Sequence, residues 1–152
     1  VATTKKKVIK DFDNGIWSFD EQLDFNRAYG FIYLIYCSRN GMAYIGKKNF
    51  KGAGKLNKGT QSNWRTYTGS SKSLQADIAE FGVDAFEFYV LEQYRTKGGH
   101  SWAEIWSQVT VEVPSNNHIW YNRLIEKCLW KVSEPPTEKH RKRLKELTKG
   151  LG

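Results

Sequence analysis

The 152-residue chain carries 24 lysines and arginines against 16 aspartates and glutamates, a formal charge of +8, and is 39% hydrophobic and 14% aromatic. That is long enough to bury one ordinary core and too apolar for a wholly disordered protein. No run approaches the roughly 18 apolar residues of a membrane span, and no apolar stretch follows Lys10 as a secretory signal would require.

The positive charge is unevenly placed. Between Asp24 and Asp77 there is no acidic residue, while Arg27, Arg39, Lys47, Lys48, Lys51, Lys55, Lys58, Arg65 and Lys72 all fall there. The remainder of the chain is close to neutral. Such segregation points to a polyanionic partner, nucleic acid before an anionic membrane surface. Cys37 and Cys128 sit in apolar surroundings and read as free buried thiols in a reducing compartment. No CxxC or Cys/His cluster suggests structural zinc.

In chain order, residues 1–10 are polar and basic and expected to fray. From Asp11 to Asn26 the spacing of Phe12, Ile16, Trp17, Phe19 and Phe25 follows no clean period, which predicts a packed irregular arm or short helix. Phe31 to Cys37 reads as a strand, Asn40-Gly41 as a type I′ turn needing positive φ at both positions, and Ala43 to Lys48 as the returning strand. The glycine- and lysine-rich stretch from Asn49 to Asn63 predicts a loop or loose basic helix. A helix follows, capped by Ser71 or Ser73, with Leu74, Ile78 and Phe81 on one face and Gly82 as its stop. Ala85 to Glu92 predicts a third strand. Ser101 is a plausible cap for a helix carrying Trp102, Ile105, Trp106 and Val109; the six tryptophans are read as mostly core. Pro114 to Asn117 reads as a loop, 118–132 is ambiguous, and Thr137 caps a last basic helix. The order β-β-α-β-α predicts an α+β fold, a small three-stranded antiparallel sheet made of the hairpin plus a third strand, flanked by helices.

With a two-residue hairpin loop, Tyr33 faces Lys48 and Tyr44 faces Cys37. Alternation then puts Tyr33, Ile35, Cys37, Tyr44, Gly46 and Lys48 on one face. Two phenols and an ammonium share that surface, staggered by four residues, with Gly46 leaving a gap where a substrate backbone could approach. Taken alone, such tyrosines are ordinary sheet aromatics.

Phe31-Ile32-Tyr33, ten residues and then Tyr44-Ile45-Gly46 resemble the GIY-YIG nuclease pattern, with Phe31 in place of the first glycine and Lys47 as a common continuation. The resemblance runs from about Tyr29 to Asn122 and implies a metal-dependent endonuclease. It implies that Tyr33 and Tyr44 position or deprotonate a water, with Tyr33 favoured as base and Lys47 or Lys48 or the metal lowering its pKa. It implies that an arginine from the first helix contacts the scissile phosphate. The family's Arg followed four positions later by His or Tyr is missing, so Arg65, in a Ser62–Ser71 block similar to phage-type members, is the choice, with Tyr67 as helper. It also implies one glutamate holding Mg²⁺ or Mn²⁺, assigned to Glu104 before Glu126 or Glu92, and an asparagine matched by Asn122. One carboxylate suffices for magnesium, which keeps several waters.

The tail from Glu134 onward resembles a nuclease-associated DNA-binding motif of homing endonucleases. The organisation expected is an N-terminal arm (1–28), a catalytic domain (29–132) and a basic DNA-binding tail (133–152). Lys48, Lys51, Lys55 and Lys58 in the basic window, and Lys139, Arg141, Lys142 and Arg143 in the tail, are the DNA-binding candidates, with Trp64 and Trp120 as possible stacking residues. DNA is the expected partner, with no membrane and no protein partner implied, and a cytoplasmic location. Rival readings are a structure-specific repair or restriction nuclease and a non-catalytic nucleic-acid-binding module on the same fold.

Overall fold

The computed structural model describes residues 12–52, 59–116, 118–123, 125 and 132–151. Three strands, β1 (Gly30–Cys37), β2 (Ala43–Asn49) and β3 (Phe86–Tyr94), form an antiparallel sheet in the order β2-β1-β3. Helices α1 (Lys72–Phe81), α2 (Lys97–Thr110) and α3 (Glu138–Thr148) flank it, giving the α+β layout that the element order predicts.

The central strand β1 is buried on both faces, which is why it reads as an unbroken apolar run. Phe31, Tyr33, Ile35 and Cys37 meet Trp17, Leu23, Phe50, Trp64 and Leu74 in one core. Ile32 and Leu34 meet Ile45, Leu91, Ala103 and Leu144 in the other. A bulge opposite Ile32 and Tyr33 leaves Leu91 without a partner on β1 and re-aims the end of β3, so that Leu91 and Tyr94 both enter this second core.

The hairpin register differs from the two-residue expectation. Tyr33 pairs with Gly46 and Ile35 with Tyr44, because the turn takes in Ser38 to Met42. Gly41 has φ 74°, while Asn40 has no positive φ and its side-chain Oδ1 accepts from the Met42 amide at 2.9 Å. An Asx turn has replaced the type I′ geometry. The slip is two residues, so the faces stand and the stagger between the tyrosines shrinks from four residues to two.

Ser71 caps α1, its Oγ accepting from Leu74 N, and Gly82 ends it with φ 83°. Helix α2 begins earlier than Ser101. Thr96 is the cap, accepting from Gly99 N at 3.0 Å, and the Glu134 carboxylate accepts from the Arg95 and Thr96 amides. These acceptors offset the poor helix propensity of Gly98-Gly99. The inward face of α2 is also not its apolar stripe. Gly99, His100, Ala103 and Ser107 are buried, while Trp102 and Val109 are exposed. Small residues let the helix sit close to the sheet, where His100 Nε2 reaches Phe31 O at 3.1 Å and Gln108 Nε2 reaches Ile45 O at 3.0 Å.

The arm contains no helix among its described residues. Ser18 pairs in parallel with Tyr89 at the β3 edge, and Trp17 and Leu23 enter the first core. The tail is packed too. Leu144 and His140 are buried against the second core. His140 Nδ1 accepts from Tyr94 Oη at 2.9 Å, and its Nε2–H donates to Ser107 Oγ at 2.7 Å, since that hydroxyl donates to Ala103 O. Cys37 is a buried free thiol; Cys128 lies outside the described residues.

Candidate active site

A cleft of about 510 Å³ lies along the outer edge of β2. Because β2 is an edge strand, side chains from both of its faces reach the cleft. Tyr44 comes from one face and Lys47 from the other, joined by Tyr33 from β1, Tyr67 from the loop before α1, and Glu104 from α2. Six of the seven residues singled out for chemistry therefore meet in one place: Tyr33, Tyr44, Lys47, Tyr67, Glu104 and Asn122.

The two-residue stagger makes Tyr33 and Tyr44 diagonal neighbours across the hairpin, with ring centroids 6.1 Å apart. Gly46 lies opposite Tyr33, and its lack of a side chain serves a different purpose from the one expected. A Cβ there would stand 2.5 Å from Tyr33 Oη and 2.7 Å from Cζ, so Tyr33 itself fills the gap meant for a substrate. Tyr67 packs edge-on to Tyr33, with centroids 6.2 Å apart. Tyr33 is 1% exposed. Burial, and then Tyr44, Tyr67 and Glu104 nearby, hold its phenol well above the usual value near 10. Its environment thus favours the protonated form, a hydrogen-bond donor, over the phenolate that a general base requires. Tyr44 is half-buried in the cleft wall.

Lys47 Nζ donates to Ser101 Oγ at 3.0 Å, which fixes the ammonium between β2 and the first turns of α2. Lys48 emerges on the tyrosine face and places its Nζ 4.0 Å from the Tyr67 ring centroid. Asn122 spends both ends of its amide on the β2 backbone. Ile45 N donates to Oδ1 at 3.0 Å, and Nδ2 donates to Ile45 O at 2.7 Å. Its side chain continues along the edge of β2 the pairing that the backbone of Ile119 and Tyr121 makes with Ala43. Beside it Tyr121 Oη donates to Asp77 at 2.6 Å, and the Asn40 amide reaches both groups at 3.0 Å. Hairpin turn, α1 and residues 119–122 are thereby braced around the cleft.

Arg65 is not among the cleft residues. Its guanidinium pairs with Asp13 at 3.1 Å, hydrogen-bonds Gln61, and lies over the rings of Trp64 and Phe25 at 4.2 and 5.1 Å. Tertiary packing against the arm captured the only arginine that sequence spacing offered. The additional cations at the cleft are Lys72 and Arg123. Lys72 opens α1, where Ser70, Ser71 and Ser73 also line the cleft and the helix dipole is positive. Arg123 follows Asn122 directly, and that adjacency was the available signal. Trp64 and Trp120, at 0% and 2% exposure, are core residues with no ring surface for a base.

Of the other binding candidates, Lys51 is exposed beyond the end of β2, and Lys55 and Lys58 lie outside the described residues. In the tail, Lys139 pairs with Asp20 at 2.7 Å and Glu21 at 3.1 Å. Arg143 Nε donates to Val90 O at 2.9 Å, and Arg141 lies over Trp106 at 4.7 Å. Lys142 is exposed. Much of the tail's charge is thus engaged in docking α3.

Among the described residues there is no group of three or more His, Cys, Asp or Glu side chains able to enclose a metal. Glu104 is, among those residues, the one carboxylate lining the cleft. That donor set fits an ion which keeps most of its waters and takes a single protein carboxylate, as magnesium does. Glu92 is buried and accepts from Thr137 Oγ1 at 2.9 Å, and Glu126 lies outside the described residues.

Residues 17–125, well over half of the chain, match the family described as "Putative endonuclease segE, GIY-YIG domain". No curated protein and no solved structure gives a match to the chain.

Proposed function

The chain belongs to the GIY-YIG nuclease superfamily, and from that premise we propose that it is a metal-dependent endonuclease that hydrolyses phosphodiester bonds in DNA. The observation that carries this reading is the meeting of Tyr33, Tyr44, Tyr67, Lys47 and Glu104 in one cleft. Hydrolysis needs a positioned water, positive charge on the phosphoryl oxygens and a proton for the departing oxygen. The tyrosine hydroxyls orient the water, with Tyr33 kept protonated by burial. Lys47 sits where an ammonium can meet the phosphate, and Lys72 and Arg123 take the part that resemblance gave to Arg65. Glu104 would hold Mg²⁺ or Mn²⁺, which supplies Lewis-acid stabilisation of the developing negative charge. Asn122 is a positioning residue that fixes Ile45 and so the ends of the Tyr44-Ile45-Gly46 segment.

Kinship with phage and homing endonucleases is supported by the resemblance of the Ser62–Ser71 block to phage-type members and of the tail to homing endonucleases. One observation favours the non-catalytic module instead: the internal pairing of Arg65 with Asp13. Plasmid nicking with Mg²⁺ or Mn²⁺ separates the two. The expected result is nicking by the wild type that is lost in Glu104→Gln and strongly reduced in Tyr33→Phe. Undiminished nicking by Glu104→Gln overturns the metal assignment. Salt-sensitive DNA binding without nicking in either metal establishes the binding module.

A further inference from the structure

Next to the cleft lies a second cavity, of about 640 Å³, on the far side of Lys47 and Tyr67, which line both. Its walls are Lys48 and Asn49 from the end of β2, Lys51 and Gly52 beyond it, and the return through Thr60 to Asn63. The two described arms of this stretch are paired with each other. Gly52 N donates to Thr60 O at 2.8 Å, Gly59 N to Gly52 O at 3.0 Å, and Ser62 N to Phe50 O at 2.8 Å, with Lys51 and Gln61 bridged antiparallel.

Three features describe its occupant. Among the described residues the lining carries the cations Lys47, Lys48 and Lys51 and no carboxylate, and the sequence from Phe25 to Ala76 has none to contribute. The remaining lining side chains are amides, hydroxyls and the Tyr67 phenol, suited to hydrogen bonds with phosphate and sugar. The cations are also distributed over both cavities: Lys72 and Arg123 line the cleft, Lys47 lines both, and Lys48 and Lys51 line the second. A lone anion needs a single focus of charge. A set of spaced cations matches a chain of spaced phosphates.

We propose that this trench is a flanking subsite that holds the sugar–phosphate backbone of the DNA on one side of the cleaved bond, a proposal that rests on the cleft being the hydrolytic site. Tyr67 is its partition. Its ring carries the Lys48 ammonium on the trench side and packs on Tyr33 within the cleft. A backbone seated against Lys48 therefore bears directly on the tyrosine that flanks Tyr33. Binding energy collected away from the reacting phosphate is thereby converted into alignment at it.

The test uses the full chain, metal-free in EDTA, with a fluorescein-labelled 20-base-pair DNA duplex of mixed sequence as probe. Affinity is measured by anisotropy over a series of salt concentrations for wild type and for Lys48→Ala/Lys51→Ala, with thermal melts confirming that both are folded. The expected result is a slope of log Kd against log salt reduced by roughly two in the double variant, about one for each phosphate that no longer meets a lysine. In ¹⁵N spectra the duplex shifts the amides of Gly52, Ser62 and Asn63 in the wild type. An unchanged slope, or shifts confined to residues outside the trench, overturns the proposal. Cleavage plays no part in this measurement. Nicking by the wild type with an unchanged slope removes the trench and keeps the nuclease; the expected slope and shifts with no nicking in any metal do the reverse.

Discussion

At the scale of single residues, Gly46 decides the geometry of the site. Tyr33 reaches across β2 only because position 46 has no side chain, and a Cβ would stand 2.5 Å from its hydroxyl. Gly46→Ala must therefore displace the ring or the strand. We predict a loss of about 1–3 kcal/mol in urea unfolding, the cost of overpacking a well-filled core. Nicking should fall further than that destabilisation explains, because the displaced ring carries a hydroxyl that the proposed function assigns to the water. Wild-type stability in this variant would mean that Tyr33 has another place to go. This residue also shows what a sequence can convey. Alternation along two strands is enough to put Tyr33, Tyr44 and Gly46 on one face, and a slip of two residues leaves that parity intact. Alternation is silent on the length of the turn, which Asn40 sets by bonding to Met42. Arg65 was illegible for a related reason: its partner Asp13 lies in an arm with no periodicity to read.

At the scale of elements, the edge of β2 and the dock of α3 are each closed by polar groups that leave no periodic trace. Ile45 is satisfied on its open side by Asn122 and Gln108 alone among the described residues. Asn122→Leu strands the buried Ile45 amide, so we expect a loss of about 1–3 kcal/mol in denaturant unfolding. The nicking rate should fall as Tyr44 loosens. Helix α3 gives a sharper contrast. A basic tail added behind a finished domain could be removed without changing its melting temperature. Here Leu144 is 2% exposed, and His140 joins Tyr94 to Ser107. Leu144→Ala should cost about 2–5 kcal/mol, and a chain ending at Ser133 should lose its cooperative melt. Thr137 as a cap was legible because capping is local. The docking was not, since a histidine in a run of lysines and arginines reads as one more solvated residue. Helix α2 misleads in the same way. Its apolar stripe draws the eye, yet small and polar residues face the sheet.

At the scale of the molecule, the two buried imidazoles that tie α2 and α3 to the sheet make the fold sensitive to acid. His100 and His140 are fully buried, and burial is the main cause of their depressed pKa values, about 4 and about 3 against 6.5. Lys47 beside His100 and Arg141 beside His140 push in the same direction. Both rings are thus neutral in the folded chain at pH values where the unfolded chain has taken up protons. Stability rises with pH wherever the unfolded state binds more protons. The contribution of these groups is therefore complete above pH 6.5 and is lost as pH falls from 6.5 toward about 4 for His100 and about 3 for His140. The slope approaches about 1.4 kcal/mol per pH unit for each histidine. Asp20, whose carboxyl Lys139 holds below its ordinary 3.8, loses its contribution only at lower pH and leaves this window to the histidines. Urea unfolding from pH 8 to 4.5 should show a plateau down to about pH 7 and then a steep decline. In His140→Gln the plateau should be lower, because Tyr94 and Ser107 lose well-placed partners. Its decline should be about half as steep, because one of the two protons taken up on unfolding is gone. An unaltered slope in that variant would assign the acid sensitivity to groups other than the buried imidazole that ties the basic helix to the sheet.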